Sequence, residues 1–127
     1  MTEEQVSVRY MVNDVDEAIG FYTRHFGFQL GQNASPAFAE VNRGRLRLLL
    51  AGPKSSAGRP MPDGRQPQPG GWNRIHFIVD DIAAEAGRLR EAGISFRNEI
   101  ITGPGGRQVL LDDPSGNPIE LFQPAQP

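Results

Sequence analysis

The chain carries few side chains able to do chemistry, and their types narrow the choices at once. It has no cysteine and only two histidines, His25 and His76. The absence of cysteine excludes disulfides, thiolate metal sites and cysteine nucleophiles together. His76 stands in Arg74-Ile75-His76 and is of a residue type used as general base, yet no carboxylate partner for it is visible in the sequence. His25 falls at the end of a predicted helix, where a cation is favourable. The cationic residues are twelve arginines and Lys54, and arginine suits bidentate recognition of carboxylates and stacking on aromatic rings. Trp72, Phe38 and Phe122 are of the right type to stack on a planar ligand or to anchor a core.

The elements that must position these groups follow from periodicity. Val6, Val8, Tyr10 and Val12 alternate with Ser7, Arg9 and Met11, predicting a strand with one buried face. Asp14, with Glu17 three residues on, predicts a helix beginning near Val15. Val15, Ile19, Tyr22 and Phe26 give it one apolar stripe, and Gly27 ends it. Phe28-Gln-Leu, Ala37 to Val41 and Arg45 to Leu50 then read as three strands, so the first half is βαβββ. Between Gly52 and Asn73, 10 of 22 residues are Gly or Pro, which predicts a linker loop, packed in place by Met61 and Trp72.

The second half repeats the first. Ile75, Phe77 and Val79 alternate with Arg74, His76 and Ile78, and Asp81 caps a predicted helix carried by Ile82, Glu85, Ala86, Leu89 and Ala92 until Gly93. Ile94 to Arg97, Gln108 to Asp112 and Pro118 to Phe122 read as strands, the last two joined by a turn at Asp113–Asn117. The two capping aspartates are 67 residues apart (81 − 14), which matches Ser7 with Arg74 and Arg9 with His76 on the polar faces of the two leading strands.

A chain of 127 residues with 38% hydrophobic and 22% charged residues has the size of one ordinary domain. The reading is therefore one domain, with modules at 5–51 and 74–124 joined by the 52–73 loop. A net charge of −2 argues against nucleic acid as partner, and no apolar run is long enough for a membrane span. The acidic Met1-Thr-Glu-Glu start has no apolar core of a signal peptide, so a cytoplasmic location is expected.

Val12-Asn-Asp-Val-Asp-Glu-Ala-Ile-Gly-Phe-Tyr with Phe26-Gly-Phe resembles the opening of the vicinal-oxygen-chelate superfamily, and Asp113-Pro-Ser-Gly-Asn-Pro-Ile-Glu-Leu121 resembles its close. Similarity covers nearly all of residues 5–124, and Gly70 to His76 also resembles bacterial members. The superfamily includes glyoxalase I, extradiol dioxygenases, fosfomycin-resistance enzymes and bleomycin-resistance proteins. The resemblance implies an α+β fold of two βαβββ modules whose curled mixed sheets surround a cleft. In metal-dependent members the first strand of each module gives a His and the last a Glu. The corresponding positions here are Ser7, Arg74, Leu48 and Glu120, so a single ligand is retained.

The expectation is a small-molecule-binding protein of the bleomycin-resistance type, possessing neither catalytic residues nor a cofactor and sequestering an antibiotic as a homodimer. Its ligand-binding residues are expected to be Ser7, Arg9, Leu48, Trp72, Arg74, His76, Glu120 and Phe122, with Arg74 and Glu120 forming an ion pair where the metal is lost. The alternative is a glyoxalase- or dioxygenase-like enzyme holding a divalent metal on His76 and Glu120. A metal-free isomerase or lyase using His76 as base and Arg74 as oxyanion partner is a third reading.

Overall fold

Period-two segments become strands and aspartate-capped segments become helices twice along the chain, as shown by a computed structural model that describes residues 4–126. The order is β1 (Val6–Met11), α1 (Val15–His25), β2 (Gln29–Ala34), β3 (Phe38–Arg43), β4 (Leu46–Ala51), β5 (Ile75–Ile78), α2 (Ile82–Glu91), β6 (Ile101–Gly103), β7 (Gly106–Asp112) and β8 (Pro118–Pro124). The fold is α+β, with two four-stranded mixed sheets ordered β1-β4-β3-β2 and β5-β8-β7-β6. The chain divides between Gly70 and Gly71 into two compact units, each holding one sheet and one helix.

Both helices start where their caps dictate. Asp14 accepts a bond from the Glu17 backbone N–H at 3.0 Å, and Asp81 accepts one from Ala84 at 3.1 Å, satisfying first-turn amides that would otherwise lack partners. Just beyond the helix ends, Gly27 and Gly93 take positive φ angles of 68° and 86°, a turn of backbone that a side chain would strain. In the first unit α1 packs on β3 and β4 through Val15, Ala18, Phe21 and Tyr22. Ile19, expected in that stripe, is only half-buried. The Tyr22 ring, without exposed surface, meets Phe21, Phe26, Phe28 and Tyr10 at centroid distances of 5.0, 6.3, 5.6 and 6.5 Å. In the second unit α2 covers β7 and β8 with Ile82, Ala86 and Leu89.

Three departures from the sequence reading have physical causes. Val6 is 60% exposed and Val8 half-buried, since β1 is an edge strand and α1 lies over β3 and β4. Ile94 to Arg97 is not a strand but makes one bridge, Phe96 to Leu111. It is held by bonds from Arg97 N to Leu110 O and from Asp112 N to Ser95 O, and the fourth strand of the sheet is instead Ile101–Gly103.

The 52–73 loop is tied down at its start, where a short 3₁₀ turn forms at Ser56–Gly58. Met61 and Trp72, expected to pack it, are 43% and 68% exposed. Among the described residues no helix is long and apolar enough to cross a membrane.

Candidate functional site

The face of each sheet turned away from its helix carries most of the candidate residues, and strand register decides which of them meet. Paired residues on neighbouring strands point to the same face. In the second unit β5 runs parallel to β8 with His76 opposite Glu120, and β7 runs antiparallel to β8 with Leu110 opposite Glu120. Glu120 is therefore central in its sheet, and only 6% exposed.

A buried carboxylate is costly unless its charge is met by donors. Arg74 meets it. Its Nε and Nη2 both lie 3.0 Å from Glu120 Oε1, while its Nη1 donates to the Trp72 carbonyl at 3.2 Å. The other carboxylate oxygen, Oε2, is 3.5 Å from His76 Nε2. The His76 ring lies in turn against Phe122, with centroids 4.9 Å apart. The expected Arg74–Glu120 ion pair is thus present.

Trp72 is held by a residue that periodicity did not single out. Arg97 places its guanidinium 4.6 Å from the Trp72 ring centroid. Its Nε donates to Asp112 at 2.6 Å, Nη1 to the Gly71 carbonyl at 2.8 Å and Nη2 to the Gly116 carbonyl at 3.0 Å. One planar cation with its donors fixed in a fork ties the start of the unit to the β7–β8 turn. Those partners lie 15, 26 and 19 residues from Arg97 along the chain, so no local pattern could have revealed them. The turn is itself closed by buried Asp113, which accepts from the backbone N–H groups of Ser115 and Asn117 at 2.8 and 2.9 Å.

In the first unit the same face has another composition. Ser7 pairs with Arg47 and Arg9 with Leu49 on β1 and β4, and Glu40 on β3 lies opposite Leu49. Arg47 Nε donates to Ser7 Oγ at 2.9 Å, and its Nη1 is 3.5 Å from Glu40 Oε2. Ser7 and Arg9 are exposed. Leu48 is not part of this face: it pairs with Val8, has no exposed surface and belongs to the core. Because Arg9–Leu49 matches His76–Glu120, Leu49 and not Leu48 stands where Glu120 stands. A shift of one residue along a strand turns a side chain to the opposite face, which explains the error.

Within either unit these groups fall short of the donors that a metal ion needs. A divalent ion held by protein side chains normally takes three or more imidazole, carboxylate or thiolate donors. In neither unit do three His, Cys, Asp or Glu side chains converge among the described residues. Glu120 and His76 are two donors, and the guanidinium already on Glu120 repels a dication.

Paired βαβββ units, each led by a parallel strand pair and capped by a helix beginning at an aspartate, define the vicinal-oxygen-chelate class of fold. A family model for the Glyoxalase/Bleomycin resistance protein/Dioxygenase superfamily matches residues 5–121, and the chain belongs to that family. Among solved structures, a superfamily member from Sphaerobacter thermophilus DSM 20745 is 28% identical, with a TM-score of 0.74, over 97% of this chain and 98% of that one. TnmS3, an antibiotic-binding protein from Streptomyces sp. CB03234, is 27% identical with a TM-score of 0.71, over 98% of each chain. A lactoylglutathione lyase from Agrobacterium tumefaciens shares the fold, with a TM-score of 0.74 at 22% identity over 97% of this chain and 95% of that one. No curated protein matches the sequence.

Proposed function

We propose that this protein binds a small molecule, sequestering an antibiotic without metal catalysis, and that it does so as a cytoplasmic homodimer. The observation that carries the reading is the guanidinium of Arg74 seated on Glu120. It neutralises the single carboxylate that the family pattern retains, which supports binding without metal catalysis. The likeness to TnmS3 supports an antibiotic as the ligand class. Arg74, His76, Trp72 and Phe122 offer donors and aromatic surface within the second unit, and Ser7 and Arg9 are exposed polar groups of the first.

A thermal-shift screen of the purified protein against antibiotics tests this, since a ligand that binds only the folded form raises Tm. The expected result is a saturable rise with at least one compound, recovered chemically unchanged after incubation. A compound that is converted would overturn the reading. The contact between His76 and Glu120 is what favours the rival, a glyoxalase- or dioxygenase-like enzyme. Elemental analysis decides between them: near-stoichiometric zinc, nickel, manganese or iron, retained by the wild type and lost in Glu120→Ala, establishes the rival.

A further inference from the structure

The first unit contains a cavity of about 410 Å³ where the end of β1 meets the Gly/Pro-rich loop. It lies outside the Arg74–Glu120 cluster and shares no residue with it. Met11, Val12 and Asn13 form one wall, and Pro53 with the run Gln66-Pro67-Gln68-Pro69 forms the other. A volume of this size falls in the range of small-molecule sites, roughly 300–1,000 Å³.

The loop wall is built to stay in place. Ser55 Oγ donates to the Gly52 carbonyl at 2.7 Å and accepts from the Gly58 N–H at 3.1 Å. The Gln66 side-chain amide donates to the Gly58 carbonyl at 2.7 Å, which brings the proline run back onto the start of the loop. Gly58 is buried, and a Cβ there would lie 2.6 Å from the Gly52 carbonyl oxygen, so the loop closes here only on glycine. Proline rings fix their own φ angles and lose almost no side-chain freedom when covered. A site walled by them is ordered before its ligand arrives, which lowers the cost of binding.

The chemistry of the wall selects the ligand. No Asp, Glu, Lys or Arg lines the cavity, so a charged ligand would find no counter-charge on its walls. Pyrrolidine rings and Met11 offer apolar contact, and methionine sulfur and CH surfaces suit an aromatic face. Of the carboxamides on the wall, the Gln66 nitrogen is engaged by the Gly58 carbonyl, and Gln68 brings the group that would both donate to and accept from a ligand. We infer that this cavity is a second binding site, for an uncharged planar aromatic compound bearing a carboxamide or lactam group.

The test uses the full chain, isotope-labelled, titrated separately with benzamide, nicotinamide, benzoate and nicotinate and followed by amide chemical shifts. The two amides are expected to move signals of residues 11–13 and 52–70 saturably, and the two carboxylates to bind at least tenfold more weakly. Gln68→Glu, at a solvent-exposed residue of the cavity wall, is expected to weaken amide binding at least tenfold while the rest of the spectrum stays in place. Gly58→Val is expected to abolish it by opening the loop. Shifts that map elsewhere, equal binding of amide and carboxylate, or no saturable binding by either amide would each overturn the proposal. Repeating the titration with Arg74→Ala separates this site from the function proposed above: amide binding here is expected to be unchanged, whatever becomes of antibiotic binding.

Discussion

The two units use one backbone plan and distribute their charges differently over it. In the first, the acid sits on β3 as Glu40 and faces Leu49 on β4; in the second, the acid sits on β8 as Glu120 and faces Leu110 on β7. Acid and leucine have exchanged strands across the same ladder. The arginine has moved as well, from β4, where Arg47 pairs with Ser7, to the approach to β5, where Arg74 reaches Glu120. The exchange changes the electrostatic weight of the pair. Arg47 and Glu40 have side chains 42% and 19% exposed, against 29% and 8% for Arg74 and Glu120. A pair open to water contributes little, whereas a buried carboxylate depends on its partner. Duplicated geometry therefore does not imply duplicated chemistry.

The sharpest way to break this comparison is to put a carboxylate at each of the two adjacent positions on β4. Leu48→Glu buries a charge in the core of the first unit and is expected to cost more than about 4 kcal/mol, leaving the protein unfolded or aggregated. Leu49→Glu, on the half-buried polar face opposite Glu40, is expected to cost about 1–2 kcal/mol, from lost burial and like-charge repulsion. Urea denaturation followed by circular dichroism measures both. Equal effects would mean that Leu49, and not only Leu48, faces the core.

Next in size is the buried pair. Arg74→Ala strands Glu120 with His76 as its nearest partner and is expected to cost about 2–3 kcal/mol, less than a fully buried pair because the arginine is partly exposed. Adding Glu120→Gln is expected to recover part of that loss, a coupling that a double-mutant cycle in urea reads directly. Strict additivity would remove the dependence of one group on the other.

Arg97→Ala is expected to cost about 2 kcal/mol, since it removes a charge-assisted bond to Asp112 and two donors to carbonyls. It has a readout beyond stability, because Trp72 is the single tryptophan and loses the cation stacked on it. Its fluorescence is expected to change in intensity and wavelength while Arg47→Ala leaves it alone. The smallest effect belongs to Arg47→Ala itself, at about 1 kcal/mol or less in the same denaturation assay, as for other exposed pairs.

The sequence made legible whatever depends on neighbours in the chain. Asp14 and Asp81 marked both helix starts because capping is a matter of three residues, and glycines 27 and 93 marked the ends. The polar faces of β1 and β5 followed from alternation, and the family resemblance brought Arg74 and Glu120 together correctly. What depends on register between distant strands was not legible. Leu48 and Leu49 stand in a run of leucines, where alternation gives no sign of which one faces the core. Likewise Ile94 to Arg97 has the apolar alternation of a strand, but only the hydrogen bonds of Ser95, Arg97 and Asp112 show that it stops after one bridge. The cavity at the end of β1 was invisible for the same reason, since it exists only where the proline run returns to Gly58.

The clamp made by Arg97 has a consequence for the order in which the molecule is made. The carbonyl of Gly71 leaves the ribosome well before Asp112 and Gly116, yet one guanidinium joins all three. The opening of the second unit thus gains its Arg97 fastening only once the late-emerging turn has been made. A nascent chain stalled before Arg97 would hold Trp72 free of its cation, and the emission of that indole would report when the guanidinium arrives.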